Sequence, residues 1–552
     1  MPSRDGAAAP APTGTARIRG RVVAADNGTP LRRAQVRVTA FEVRVMRQAT
    51  TDGEGRYEVV DLPAGRYSLT VIRNGYVSLQ FGQQRPFEPG RPLELADGQL
   101  IERVDFALPR GSVISGRVTD ELGEPVAGVR MQAMRYRYSP SGDRQLVPAN
   151  LGGMFNMVTN DLGEFRVFGL MPGTYVLSAN PDDGGMMGIS GGVIPGVSAS
   201  GDSDGYATTF YPGTLSAEQA EPINVGVADV ANVSFALSMA RMTRISGTIR
   251  NSQGRPLSNA RIMIRSQTPA GGFTRGLPPI GADGQFSLTN IPPGQYMLEV
   301  MPMMGGAANA GPDFDEAASV PITAAGRDIT DLVITTSPGA TLTGRVIFEG
   351  VSEIVTPGRI MVQAADPGMG MMFRPTADNG TIDANGRFQL RGVSGRALFR
   401  FMPLSPGPTS FGWTLKSVTL NGADVTDTPI DVASLGDASG LEITLTNTST
   451  VLSGSVTNAR REMVNDYVVV ILPDRLKEGA VSQRFTRAVR PNQEGRYQTR
   501  GLPAGDYLAA AVPMLEDGSE WDPAFRKQIE QTAKRFRLTH GETATVDLQL
   551  IQ

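Results

Sequence analysis

Cysteine is missing from this chain of 552 residues, and histidine occurs once, at His540. Without cysteine there is no disulfide, no thiolate nucleophile and no Cys-based zinc or iron–sulfur site. A single histidine excludes His-based metal triads, HExxH-type zinc sites and Ser-His-Asp machinery built from this chain alone. Aromatic residues are scarce at 6%, with Trp413 and Trp521 the only tryptophans, which is thin for a dedicated carbohydrate module. An excess of one sign of charge is also missing. The formal net charge is −3 and the pI near 5.6, so no broad field attracts nucleic acid or an anionic membrane. Two local basic stretches, 32–47 and 526–537, read as solvated faces. No apolar run reaches the roughly 18 residues of a membrane span. Residues 1–15 form an Ala/Pro linker, of the kind that follows a cleavage site, and lack the apolar core of a signal peptide. Either a leader was removed or misassigned, or export does not begin at this end.

What is abundant is punctuation. Gly 65 and Pro 39 accompany an apolar fraction of 40%, a globular composition that implies many short strands and turns. The length exceeds one core and suits about four or five domains. One pattern recurs five times: DGEGRYEVVDLPAGRY (52–67), DLGEFRVFGLMPGTY (161–175), DGQFSLTNIPPGQY (283–296), DANGRFQLRGVSGRA (383–397) and NQEGRYQTRGLPAGDY (492–507). Recurrence on this scale means one domain type used in tandem.

Each unit opens on a strand that carries a glycine: Gly20, Gly116, Gly247, Gly344 and Gly454. Apolar residues alternate around it, burying one face. A second alternating strand follows, clearest in Ala34-Val36-Val38-Ala40 and Ala260-Ile262-Ile264. Within the repeated pattern, Asp or Asn before Gly55, Gly163, Gly284, Gly386 and Gly495 suits a tight turn. The next inward set starts at Tyr57, Phe165, Phe286, Phe388 and Tyr497. Gly65, Gly173, Gly294, Gly395 and Gly505 close a bend and are assigned positive φ. Tyr67, Tyr175, Tyr296 and Tyr507, two places later, are expected to bond nearby backbone as corner tyrosines. A closing strand ends each unit. This density of strand and turn predicts small antiparallel β-sandwiches. The boundaries are 16–110, 111–240 (with a Gly/Met-rich insertion), 241–338, 339–449 (divergent) and 450–552. Because closing and opening strands nearly touch in sequence, the units are expected to form a semi-rigid rod or arc. One helix stands out at about 522–536, capped by Asp522, with Phe525, Ile529, Ala533 and Phe536 as its apolar stripe.

The Ile-x-Gly-x-Val opening, the Gly-x-Pro turn and the Asp-x-x-Gly-x-Tyr/Phe to Leu-Pro-x-Gly-x-Tyr pattern together resemble the carboxypeptidase regulatory-like domain. The resemblance spans about residues 16–552, strongest in the first three units and weakest in the fourth, whose bend lacks Pro and Tyr. It implies an all-β chain of five Ig-like or transthyretin-like Greek-key sandwiches, akin to starch-binding-like folds, with one short helix. It also implies an extracytoplasmic (periplasmic or secreted) bacterial setting. Fold membership implies no chemistry.

The reading is therefore a non-catalytic scaffold or binding protein of the cell envelope or exterior. The alternatives are a carbohydrate-binding array and an accessory subunit of a peptidase or transporter. Partners would be a glycan or another envelope protein, not nucleic acid. Sugar binding needs exposed rings, and the candidates are Tyr136, Tyr138, Tyr206, Phe210, Tyr211 and Trp413. Tyr136 and Tyr138 lie opposite Met131 and Ala133, between Arg135 and Arg137, and are expected to face outward. Methionine runs at 186–187, 301–304 and 369–372 raise the thought of Cu(I), but gap filling is the commoner use. Asp202, Asp204, Asp313, Asp315 and Glu316 lack calcium-loop spacing. No metal or cofactor is expected.

Overall fold

A computed structural model describes residues 14–40, 45–149, 157–181, 204–257, 260–267, 274–276, 280–302, 316–350, 358–364, 373–374, 380–403 and 413–551. Residues 1–13, most of the Gly/Met-rich insertion, Asp202, Asp313, Asp315 and the methionines at 186–187, 303–304 and 369–372 lie outside the described residues.

The same two-sheet arrangement occurs five times. In the first unit, the opening strand Ala16–Ala24 pairs antiparallel with Arg56–Leu62. The second sheet centres on Gln35–Ala40, flanked by Val45–Thr50 and Gly65–Ile72. Opening strands Ser112–Thr119, Thr243–Arg250, Ala340–Glu349 and Val451–Thr457 pair likewise with Glu164–Leu170, Gln285–Ile291, Arg387–Val393 and Arg496–Arg500. Each unit has its own buried apolar cluster, because period-two alternation turns one face of each sheet toward the other.

The sheets are not purely antiparallel. Opening and closing strands run parallel, as in Val22↔Phe106, Val118↔Phe235, Ile249↔Ile334, Val346↔Ile443 and Val456↔Leu548. Parallel pairing carries the chain out of each unit at the end opposite its entry, so units follow in series. The opening-strand glycines are explained by the same crossing. A Cβ on any of them would fall inside 3.0 Å of a carbonyl oxygen: Val104, Val233, Leu332, Leu441 or Val546. In the first and last units that carbonyl also accepts the hydroxyl of Tyr57 (2.6 Å) or Tyr497.

The tight turns match expectation. Asp52, Asn160, Asp383 and Asn492 each accept two backbone N–H groups within the turn, and Gly55, Gly163, Gly284, Gly386 and Gly495 have φ between 71° and 76°. The bend glycines differ. Only Gly395, in the shortened copy, has positive φ (66°). Elsewhere the left-handed residue stands four places earlier, at Asp61, Gly169, Asn290 and Gly501. In the first four units this position, Gly392 in the fourth, belongs to a bulge in which one extra residue opposes the opening strand. Bulges of this kind take Gly, Asn or Asp at low cost.

All four corner tyrosines bond as expected. Tyr67, Tyr175, Tyr296 and Tyr507 donate to the carbonyls of Pro63, Met171, Pro292 and Pro503 at 2.6, 2.6, 2.9 and 2.7 Å. Burial pushes the hydroxyls of Tyr67 and Tyr296 up to about 12, so they stay donors. Tyr507→Phe is expected to destabilise the fifth unit by about 1 kcal/mol, the cost of a part-buried carbonyl losing its partner. Urea unfolding followed by hydrogen exchange in 505–512 checks this.

The helix is shorter than expected, Pro523–Glu530. Asp522 caps it, accepting from Ala524 N at 2.8 Å, and Ile529 is buried. Asp522→Ala should cost about 1 kcal/mol, seen as faster exchange of the amides of the first turn. Lys534–Leu538 is instead a strand on the free edge of Gly505–Val512. Its alternation of Phe536 and Leu538 with Arg535 and Arg537 fits a sheet edge, and Phe536 stacks on Tyr507 at 5.7 Å. A further helical turn occupies Val432–Leu435.

Of the expected semi-rigid rod or arc, the rod is overturned. The fifth unit lies against the first, second and fourth. Gln493 exchanges two hydrogen bonds with the backbone of Glu94 (2.9 and 3.1 Å), and Arg66 donates to Gln498 O at 2.7 Å. Ser482 reaches Pro140 O, and Arg484 pairs with Asp427 at 2.9 Å. Short linkers constrain neighbours only; they say nothing about surfaces roughly 400 residues apart finding each other.

Candidate functional site

The aromatic candidates are not assembled into a platform. Trp413 is 7% exposed and meets Phe348 edge-on at 4.9 Å within the fourth core. Phe210 is 6% exposed beneath the short turn Ala217–Gln219. Tyr211 packs edge-on against Phe235 at 5.9 Å, and Tyr206 donates to Glu121 at 2.8 Å. Sugar stacking needs exposed rings, and packing consumes the faces of Trp413 and Phe210. Tyr136 is half-buried and its ring face already carries the Arg144 guanidinium at 3.7 Å. Tyr138 is half-buried on the same strand, Arg130–Tyr138.

Among the acids, Glu316 is buried and accepts from the Thr336 hydroxyl at 2.6 Å, which is a structural duty. Among the described residues no group of three His, Cys, Asp or Glu is placed to hold a metal. His540 sits at the joint of the fourth and fifth units, 3.1 Å from the Thr446 hydroxyl, and burial lowers its pKa. No helix among the described residues is long and apolar enough to cross a membrane.

The most highly built polar site is one the sequence reading missed, the junction of the first, second and fifth units. The segment Arg85-Pro86-Phe87-Glu88 of the first unit lies at its centre. Glu88 has a wholly buried side chain and pairs with Arg490 of the fifth unit, itself 1% exposed. Asp466 bridges Arg490 (2.9 Å) and Arg91 (3.2 Å). Burial lowers the Arg490 pKa, while Glu88 and Asp466 hold the guanidinium charged. Beside this pair, Phe87 meets the ring of Tyr175 in the second unit at 6.4 Å. Arg135 stacks over Phe87 at 4.1 Å. The Phe87 ring lies 2.9 Å from where a Cβ on Gly173 would stand, so that bend glycine makes room for a neighbouring unit.

The fifth unit completes the junction with a segment after its strand Gly505–Val512. Arg85 donates to Pro513 O at 3.1 Å, Asp517 N donates to Phe87 O at 2.9 Å, and Arg137 donates to Asp517 at 3.0 Å. Gly518 is buried with φ 96°, and a Cβ there would collide with the Arg137 side chain. Arg135 and Arg137, expected to flank an exposed sugar face, thus meet the chain's own acidic segment. Charged residues read in sequence as solvated; their partners lie on other units, and no periodicity signals that.

No curated protein matches the chain in sequence. Among solved structures, it is similar to the minor pilin GBS52 of Streptococcus agalactiae, with 15% identity over 40% of this chain and 95% of that one and a TM-score of 0.21. It is also similar to BcpA, the major pilin of Bacillus cereus (12% identity, 58% and 99% covered, TM-score 0.14), and to the Bacillus anthracis TIE protein (13% identity, 59% of this chain, TM-score 0.15). The chain spans about half, 51%, of the length of the last. With TM-scores this low, none of these likenesses bears on function. The family model of the carboxypeptidase regulatory-like domain matches residues 17–109 and 244–335, which coincide with the first and third sandwiches. Those two units are similar to the carboxypeptidase regulatory-like domain.

Proposed function

We propose that this protein is a non-catalytic scaffold of the bacterial cell envelope or exterior. It is built of five such domains, at 16–110, 111–240, 241–338, 339–449 and 450–552. The observation that carries this reading is the docking of the fifth unit on the first, second and fourth. A desolvated ion pair holds units distant in sequence in one relative placement, and a wedged aromatic ring joins the first unit to the second. Holding surfaces in fixed relation is what a scaffold does, and a chain of independent beads does not need it. An internally paired charge also fits such a role, since buried ion pairs contribute little net stability but specify geometry.

Two measurements test the proposal. Solution scattering should report one compact body in which the fifth unit contacts the first, and an extended string of beads would refute the scaffold. Protease added to intact cells should remove the protein, whereas full protection together with recovery in the cytosolic fraction would refute the envelope location.

A further inference from the structure

We propose that strand Arg130–Tyr138 of the second unit, together with Phe87 of the first, is a docking surface for an acidic peptide, and that the chain's own segment 513–523 occupies it in the closed state. The inference goes beyond the scaffold reading and rests on it only in needing the fifth unit docked.

The occupying segment, PMLEDGSEWDP, carries four acidic residues in eleven. It approaches two guanidinium groups, Arg135 and Arg137. Arg137 bonds Asp517 directly, and the field of Asp517 and Glu516 acts on Arg135 against the lowering effect of burial. Recognition is not by charge alone. Backbone joins backbone between Asp517 N and Phe87 O, and Gly518 makes room for the Arg137 side chain, which a Cβ there would have to displace. These are features of a peptide-binding contact: a main-chain anchor, charge-assisted bonds and a steric selector.

The contact is releasable. The fifth unit has its own core, so undocking exposes no folded interior. The hydrogen bonds and ion pairs described above join the fifth unit to the first and second through polar groups. Half-exposed pairs such as Arg137–Asp517 contribute about 1 kcal/mol or less. The buried Glu88–Arg490 pair must offset its own desolvation. A modest net docking energy permits a closed and an open state, and a ligand that binds only the open state shifts the balance toward it.

The test uses the full chain and a fluorescent peptide of sequence 513–523. Because the chain has no cysteine, Glu94→Cys with Gln493→Cys, each alkylated with a short linker ending in a thiol to cover the length of the lost glutamine side chain, gives one lock across the junction, closed by oxidation and opened by reductant. Oxidation is expected to weaken peptide binding at least about tenfold relative to the same protein reduced, since apparent affinity scales with the fraction of open chain. Arg490→Ala is expected to strengthen it by a similar factor, and Arg135→Ala with Arg137→Ala in that background should abolish it. A peptide with Glu516→Gln, Asp517→Asn, Glu520→Gln and Asp522→Asn should fail to bind. Equal binding to locked and reduced protein, equal binding of the neutral peptide, or no binding to the reduced form and to Arg490→Ala would each overturn the proposal. If Arg490→Ala misfolds, the lock alone decides. Scattering of the oxidised and reduced forms reports docking independently, so failure of the scaffold reading remains distinguishable.

Discussion

Gly116→Ala is expected to unfold the second unit while the other four keep their structure. The added methyl would stand inside 3.0 Å of the Val233 carbonyl oxygen and 3.2 Å from the Phe165 ring. The obstacle is main chain, in a strand paired on both edges, so no rotamer change relieves it. Separating the opening and closing strands breaks a sheet, and the expected cost is about 3–5 kcal/mol, at the upper end of overpacking effects. Hydrogen exchange should show lost protection across 112–237, with wild-type protection across 452–548. Gly123→Ala is the matched control. It lies in the same unit at φ 86° with nothing within 4 Å of a Cβ, and it should cost about 1 kcal/mol, from backbone conformation alone. Equal effects of the two substitutions would refute the close approach.

Arg490→Ala is expected to free the fifth unit from the first. Removing the guanidinium leaves Glu88, whose side chain is wholly buried, with the half-exposed Arg85 at 3.6 Å as its nearest cation and the backbone N–H groups of Gln84 and Arg85 as donors. Breaking a buried pair in this way costs about 3–5 kcal/mol when the orphaned charge stays buried. Here it need not. Undocking returns Glu88 to water, so the loss is limited to the docking free energy and appears as opening, not as unfolding. The radius of gyration should rise while the circular dichroism spectrum and the melting of the fifth unit stay unchanged. A compact, wild-type scattering profile would show that the pair is not what holds the junction.

The repeat made much of each unit readable. Alternation around Tyr57-Val59 and Tyr67-Leu69-Val71 predicted the faces that the core buries, and Asn or Asp ahead of glycine predicted the turn. The misassigned positive φ was also readable in hindsight: Asp61, Gly169, Asn290, Gly392 and Gly501 occupy one position in the repeat, and all three residue types tolerate left-handed backbone. The run Tyr467 to Leu472 is buried on both faces, a signal of the cover that helix Pro523–Glu530 supplies and that simple alternation hides. The aromatic candidates failed for a different reason. No strand parity assigned a face to Trp413 or Phe210: the first packs in the fourth core and the second against Ala217.

By itself the sequence determined what depends on near neighbours: strand length, which side chains turn inward, and where glycine lets the chain turn. These are local consequences of a period of two and of backbone sterics, and five copies of one pattern state them redundantly. Only the tertiary structure decided that Glu88 meets Arg490 and that Asp517 meets Arg137. Complementarity between two polar surfaces leaves no period and no motif, because each charge alone is indistinguishable from one that faces water.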